Sequence, residues 1–137
     1  MAEYLCKDIL QKQGRSAQFH VASCAVSDEE VWNGIGNPVY PPVKKLLLEK
    51  GISCEGKRAV VLTETDGDKY DLFLCMDDSN LRRAKRILGS KYADKCKKLL
   101  SYAGESGDVA DPWYTRNFQA AYEDIMKGIA GLLESLQ

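Results

Sequence analysis

Residues 108–118 read DVADPWYTRNF. One carboxylate, Asp111, is followed by a proline and then by two aromatic residues, Trp113 and Tyr114. A carboxylic acid held stiffly by the proline could protonate an aromatic leaving group as its bond breaks. A phenolate is such a group, since its conjugate acid has a pKa of about 10. A well-placed proton donor of this kind speeds a reaction by ~10²–10⁴-fold. The two rings would line a cleft and stack on the departing phenyl ring. The other reading of the same residues is an aspartate that makes a turn ahead of a proline. The residues by themselves leave both open, and no nucleophile presents itself to accompany the acid.

Other candidate groups are sparse. The five cysteines, Cys6, Cys24, Cys54, Cys75 and Cys96, include no C-x-x-C pair. That spacing argues against a zinc ribbon or a redox pair, and several lie in apolar stretches where a reduced thiol packs as a small hydrophobe. Reduced thiols fit a cytoplasmic location. His20 has no companion histidine and is expected to be structural. Gly34-Ile35-Gly36 lacks the third glycine of a dinucleotide fingerprint and does not open a helix. Asp77 and Asp78 could suggest a metal but suit a helix cap. Arg82, Arg83, Lys85 and Arg86 crowd the C-terminal half of one helix, where they favour the helix dipole and are expected to stay solvated.

Composition bounds the rest. The 137 residues, 45% hydrophobic and 28% charged, are enough for a single domain with a real core. A net charge of −1 with dispersed signs gives no basic face for a nucleic acid. There is no apolar run long enough to span a membrane, and MAEYLCKDIL has no signal-peptide layout.

The elements that must position Asp111 alternate in type. Helices are expected over 1–13, from Pro41 and Pro42 to Gly51, from a cap at Asp78 or Ser79 to Gly89, and from a cap at Asn117 to the end. Strands are expected over Phe19–Val26, 59–62, Asp71–Met76 and 97–102. Residues 27–42 read as a long loop. This alternation predicts an α/β domain with a parallel sheet between helical layers.

The chain resembles the low-molecular-weight protein tyrosine phosphatases over nearly its whole length. The resemblance rests on ASCAVS at 22–27, IGNPV at 35–39, GISCEGKRAVVLT at 51–63, YDLFLCMDDSNL at 70–81 and DVADPWY at 108–114, in the family's order. It implies the three-layer α/β/α fold of that family and hydrolysis of phosphotyrosine, or of a small aryl phosphate, through a phosphocysteine intermediate, without metal or cofactor. It implies that Asp111 is the general acid and base, that Trp113, Tyr114 and Trp32 line the substrate cleft, and that Ser23 supports the phosphate loop. Lys57 stands where many members have a histidine with that supporting role, and the stretch between Ser23 and Pro38 is longer than the family pattern.

The resemblance also marks a departure. The family's nucleophile is the cysteine of a C-x₅-R loop that lies between the first strand and a helix beginning S-P-M-A-E. This chain reads Met1-Ala2-Glu3 at its start, so it is expected to be truncated just past that loop and to lack the central first strand. Six residues beyond its five cysteines stand Lys12, Glu30, Val60, Leu81 and Tyr102, none of them arginine. The chain is therefore expected to be inactive. Its strands at 19–26 and 71–76 would carry open edges, available for self-association. The alternative is a natural non-catalytic member that serves as a binding or regulatory module. Arsenate reduction, another chemistry of this fold, would need the same missing loop.

Overall fold

The computed structural model describes residues 1–29, 31–32, 34–110 and 117–136. It divides into two compact units, Met1–Val60 and Val61–Gln137.

The first unit opens with α1, Ala2–Lys12, whose Leu5 and Leu10 are almost fully buried. A short 3-10 turn, Ser16–Gln18, follows and delivers the chain to Phe19 in an extended conformation (φ −133°, ψ 135°). The expected strand over Phe19–Val26 is not formed as a ladder. Ala25 instead donates its N–H to the carbonyl of Val60 at 2.8 Å. The expected long loop holds a small antiparallel hairpin, β1 (Val31–Trp32) and β2 (Ile35–Gly36), with Val31 opposite Gly36 and Trp32 opposite Ile35. Gly36 is required there, because a Cβ would lie 1.8 Å from the carbonyl oxygen of Ala59. Helix α2, Pro41–Glu49, begins on the two prolines as expected, since their fixed φ and missing N–H suit a first turn. It ends before Gly51, which has φ 78°. Its Val43 and Leu47 join Ile52 and Cys54 in the buried set of this unit. Residues 59–62 are not a strand either. Ala59 bonds to Asn37 while Val60 bonds to Ala25, so neighbouring residues serve different partners instead of one ladder.

The second unit contains the parallel pair. Strand β3, Phe73–Cys75, lies beside β4, Cys96–Lys98, in the register Phe73 to Cys96, Leu74 to Lys97 and Cys75 to Lys98. Between them runs α3, Asp78–Leu88. Its cap is Asp77, whose side chain accepts the N–H of Asn80, one residue earlier than the sequence suggests. The expected strand over 97–102 turns after Lys98 into a 3-10 segment, Leu99–Ala103. Leu99 and Leu100 are both buried, which two consecutive residues of a half-buried strand cannot be. Helix α4, Phe118–Ser135, is capped by Asn117 and buries Ala121, Ile125, Ile129, Leu132 and Leu133 at helical spacing. Gly128 and Gly131 let α4 approach the 3-10 segment closely.

A strand, a helix and a second parallel strand in sequence are the α/β arrangement expected. Of the five cysteines, Cys54, Cys75 and Cys96 are buried, Cys6 is half-buried and Cys24 is exposed, and none forms a disulfide. The packing role expected of the thiols thus holds for three of them but not for Cys24. No helix among the described residues is long and apolar enough to cross a membrane.

Candidate functional site

Two clusters of polar side chains stand out, one in each unit. The first is built on the opening turn of α1. Glu3 sits in that turn, where a carboxylate complements the positive end of the helix dipole. Its side chain is only 5% exposed, yet it is fully satisfied. Oε2 takes the Lys7 ammonium at 2.6 Å, one helical turn away. Oε1 takes the Ser23 hydroxyl at 2.7 Å and the Lys57 ammonium at 2.7 Å. Burial disfavours the charged carboxylate, but donation from Lys57, Lys7 and Ser23 outweighs it and holds the pKa down at about 2. Glu3 is thus a permanent anion that gathers three donors. Two lysines against one carboxylate leave a net positive charge beside backbone N–H groups at a helix N-terminus, an environment suited to an anion.

Ser23, one of the residues singled out in the sequence, is therefore fixed by Glu3, and Lys57 joins it there. Sequence reasoning missed Glu3 itself. The Glu3–Lys7 spacing of four residues was a usable signal. The partners 20 and 54 positions away carried none.

The second cluster anchors the segment that carries Asp111. After β3, the N–H of Asp78 donates to Oδ1 of Asp108 at 3.1 Å. The Lys98 ammonium reaches that same Oδ1 at 2.8 Å, the Ser106 carbonyl at 2.6 Å and Oδ1 of Asp78 at 3.1 Å. Lys98 holds the Asp108 carboxyl below its ordinary range, against a smaller opposing effect of desolvation. The Val109 N–H bonds to the Met76 carbonyl at 2.9 Å, and the Ala110 N–H bonds to Oδ2 of Asp124 at 3.1 Å. On the far side, Asn117 Oδ1 accepts the Ala120 N–H at 3.0 Å. Both stems of the acid segment are thus tied to regular structure. Asp111, Trp113 and Tyr114 lie outside the described residues, as does the side chain of Trp32.

The family model for "Low molecular weight phosphotyrosine protein phosphatase" matches residues 1–137, the whole of the chain. The chain belongs to this family. The low molecular weight protein-tyrosine-phosphatase YfkJ of Bacillus subtilis is 33% identical over 139 aligned residues, covering 100% of this chain and 86% of YfkJ. The crystal structure of YfkJ superposes with a TM-score of 0.90 at 32% identity, over 99% of this chain and 84% of that one. The low molecular weight protein tyrosine phosphatase SP-PTP of Streptococcus pyogenes gives a TM-score of 0.85 at 28% identity, over 99% and 83% of the two chains. PtpA of Staphylococcus aureus is 30% identical over 104 residues, 75% of this chain and 65% of its own length. The fold is accordingly the three-layer α/β/α architecture of the low molecular weight phosphatases, as the quoted motifs implied.

Proposed function

We propose that this chain carries the acid half of a phosphotyrosine phosphatase site. Where a C-x₅-R loop is supplied, Asp111 donates a proton to the phenolic oxygen as the phosphorus–oxygen bond breaks, and later accepts one from the water that hydrolyses the phosphocysteine. Trp113, Tyr114 and Trp32 form the walls of the aryl cleft. Ser23, held with Lys57 on Glu3, is the brace for such a loop. The substrates of this reading are phosphotyrosine-containing proteins or small aryl phosphates. It needs no metal or cofactor. The setting is the cytoplasm, where the thiols stay reduced.

The observation that carries this reading is the family match from end to end, with Asp111, Pro112, Trp113 and Tyr114 in place. The thiolate and the guanidinium of C-x₅-R do not occur among these 137 residues. In-line attack and the binding of the phosphoryl oxygens depend on them. The chain by itself, acting as one domain, is therefore silent toward aryl phosphates, and self-association along a strand edge belongs to the same reading.

The test uses p-nitrophenyl phosphate. The chain of 137 residues gives no turnover above buffer. Turnover that Asp111→Ala abolishes would overturn the claim of silence. Placing an apolar strand and a C-x₅-R-S-P loop ahead of Met1 restores turnover, and Asp111→Asn then lowers kcat by ~10²–10⁴-fold. No turnover from a folded extended chain would favour a non-catalytic binding module instead. Sedimentation of the unextended chain reports whether it associates.

A further inference from the structure

We propose that the exposed face of α3 formed by Arg82, Arg83, Lys85 and Arg86 docks an acidic peptide segment, one that flanks the phosphotyrosine of a substrate protein. The proposal rests on the phosphatase reading for the identity of the docked protein, but the surface itself does not depend on it.

All four side chains are exposed, while Ala84 and Leu88 on the other side of α3 are buried. At 100° per residue the four cations span one continuous face about 160° wide. Six lysines elsewhere in the chain are matched. Lys7, Lys12, Lys44, Lys57, Lys98 and Lys127 each sit within 4.0 Å of a carboxylate. Among the described residues, none of the four cations on α3 is so matched. A chain of net charge −1 has therefore gathered unneutralised positive charge on a single helix face. The helix dipole accounts for cations in the last turn, Lys85 and Arg86, but gives no reason for Arg82 and Arg83 in the middle.

Position supplies the link to the site. The first N–H of α3, that of Asp78, is bonded to Asp108, three residues before Asp111. Arg82 lies one turn further along and still acts on the Asp108 carboxyl, helping to lower its pKa behind the larger effect of Lys98. The basic face thus starts at the stem of the acid segment and runs away from it along α3. From Arg82 to Arg86 the face runs about 6 Å along α3, the reach of roughly two extended residues. That length suits a short acidic run. A long polyanion would meet the remaining, net acidic surface of the chain, so a peptide fits better than a nucleic acid.

The experiment measures anisotropy of labelled peptides with the full chain. The first peptide has phosphotyrosine beside a run of Glu and Asp, the second has the same run with unphosphorylated tyrosine, and the third has phosphotyrosine flanked by Gln and Asn. The acidic peptides bind roughly tenfold more tightly than the neutral one and weaken as salt rises from low to physiological. The triple variant Arg82→Gln/Arg83→Gln/Arg86→Gln, all surface changes, loses that tenfold while its circular dichroism is unchanged. Equal binding of the first and third peptides, or an unchanged affinity in the variant, overturns the dock and leaves the phosphatase reading standing. Equal binding of the first and second keeps the dock while removing support for phosphate recognition. A duplex oligonucleotide that binds as tightly as the acidic peptides overturns the assignment to a peptide.

Discussion

Ser23 and Lys57 meet on a single oxygen atom: each places its donor 2.7 Å from Oε1 of Glu3. The residues are 34 positions apart, and the carboxylate is the partner they share. The charge of Glu3 thus fixes two side chains from distant segments.

The charge state of Glu3 gives the first prediction. Its pKa in the folded chain, about 2, lies below the ordinary 4.5. A depressed carboxyl stabilises the fold above its unfolded pKa and loses that contribution as pH falls through the interval toward the folded value. The full effect is about 3 kcal/mol, lost between about pH 4.5 and pH 2. Glu3→Gln should therefore destabilise the chain by about 2–3 kcal/mol at pH 7 and by much less near pH 2. Urea unfolding at both pH values measures the difference. A gap between the two proteins that does not narrow in acid would show that the charge is not what holds Ser23 and Lys57.

The second prediction concerns Lys98, which ties Ser106, Asp108 and Asp78 together at the stem of the acid segment. Lys98→Met keeps much of the buried stem of the side chain and removes only the ammonium. The amides of Val109 and Ala110 should then exchange several-fold faster with solvent, while those inside α4 keep their protection. Hydrogen exchange read by NMR separates the two regions. Uniform acceleration across the second unit would mean that Lys98 supports global stability and not the loop stem.

A third prediction inverts a general rule. Replacing glycine by alanine inside a helix normally gains about 1 kcal/mol. In α4, a Cβ on Gly131 would lie 2.1 Å from the carbonyl oxygen of Tyr102, a backbone atom that cannot swing aside. Gly131→Ala should cost about 1–3 kcal/mol or more. Gly107 has nothing within 4 Å of its would-be Cβ. Gly107→Ala should be neutral or gain up to about 1 kcal/mol. Denaturant midpoints that move the same way in both variants would contradict the close approach of α4 to Leu99–Ala103.

These cases show what the sequence could and could not disclose. Helix α2 was legible because two prolines mark a first turn, and α4 because Asn117 precedes a long apolar stripe. The strand expected over Phe19–Val26 was not, because an apolar run declares a wish for burial but not a ladder partner. The 97–102 stretch misled for a related reason. Leu99 and Leu100 are apolar because α4 packs over a tight turn, and that demand comes from Gly128 and Gly131 about 30 residues later. Ser23 was singled out through family motifs, whereas nothing in the sequence set Glu3 apart from the rest of its helix. Its burial and its partners are long-range facts. Asp111, Trp113, Tyr114 and the side chain of Trp32 fall outside the described residues, so the part of the site most legible in sequence rests on the motif and the family.

The last prediction concerns the far stem of that segment. Asn117 Oδ1 accepts the N–H of Ala120, one of the donors that the first turn of α4 would otherwise leave unsatisfied. Alanine cannot accept, so Asn117→Ala should cost about 1 kcal/mol. Aspartate can accept and also adds a negative charge at the positive end of the helix dipole, so Asn117→Asp should match or exceed the parent stability. The difference separates capping from backbone preference, because Asn117→Gly lacks the acceptor but should lose only a few tenths of a kcal/mol. Urea midpoints rank the four proteins, and exchange at the Ala120 amide locates the effect. If Asn117→Ala leaves that amide as protected as in the parent, the cap is not what starts α4, and the position of the chain after residue 116 must be set by the apolar contacts of Ala121 and Ile125 instead.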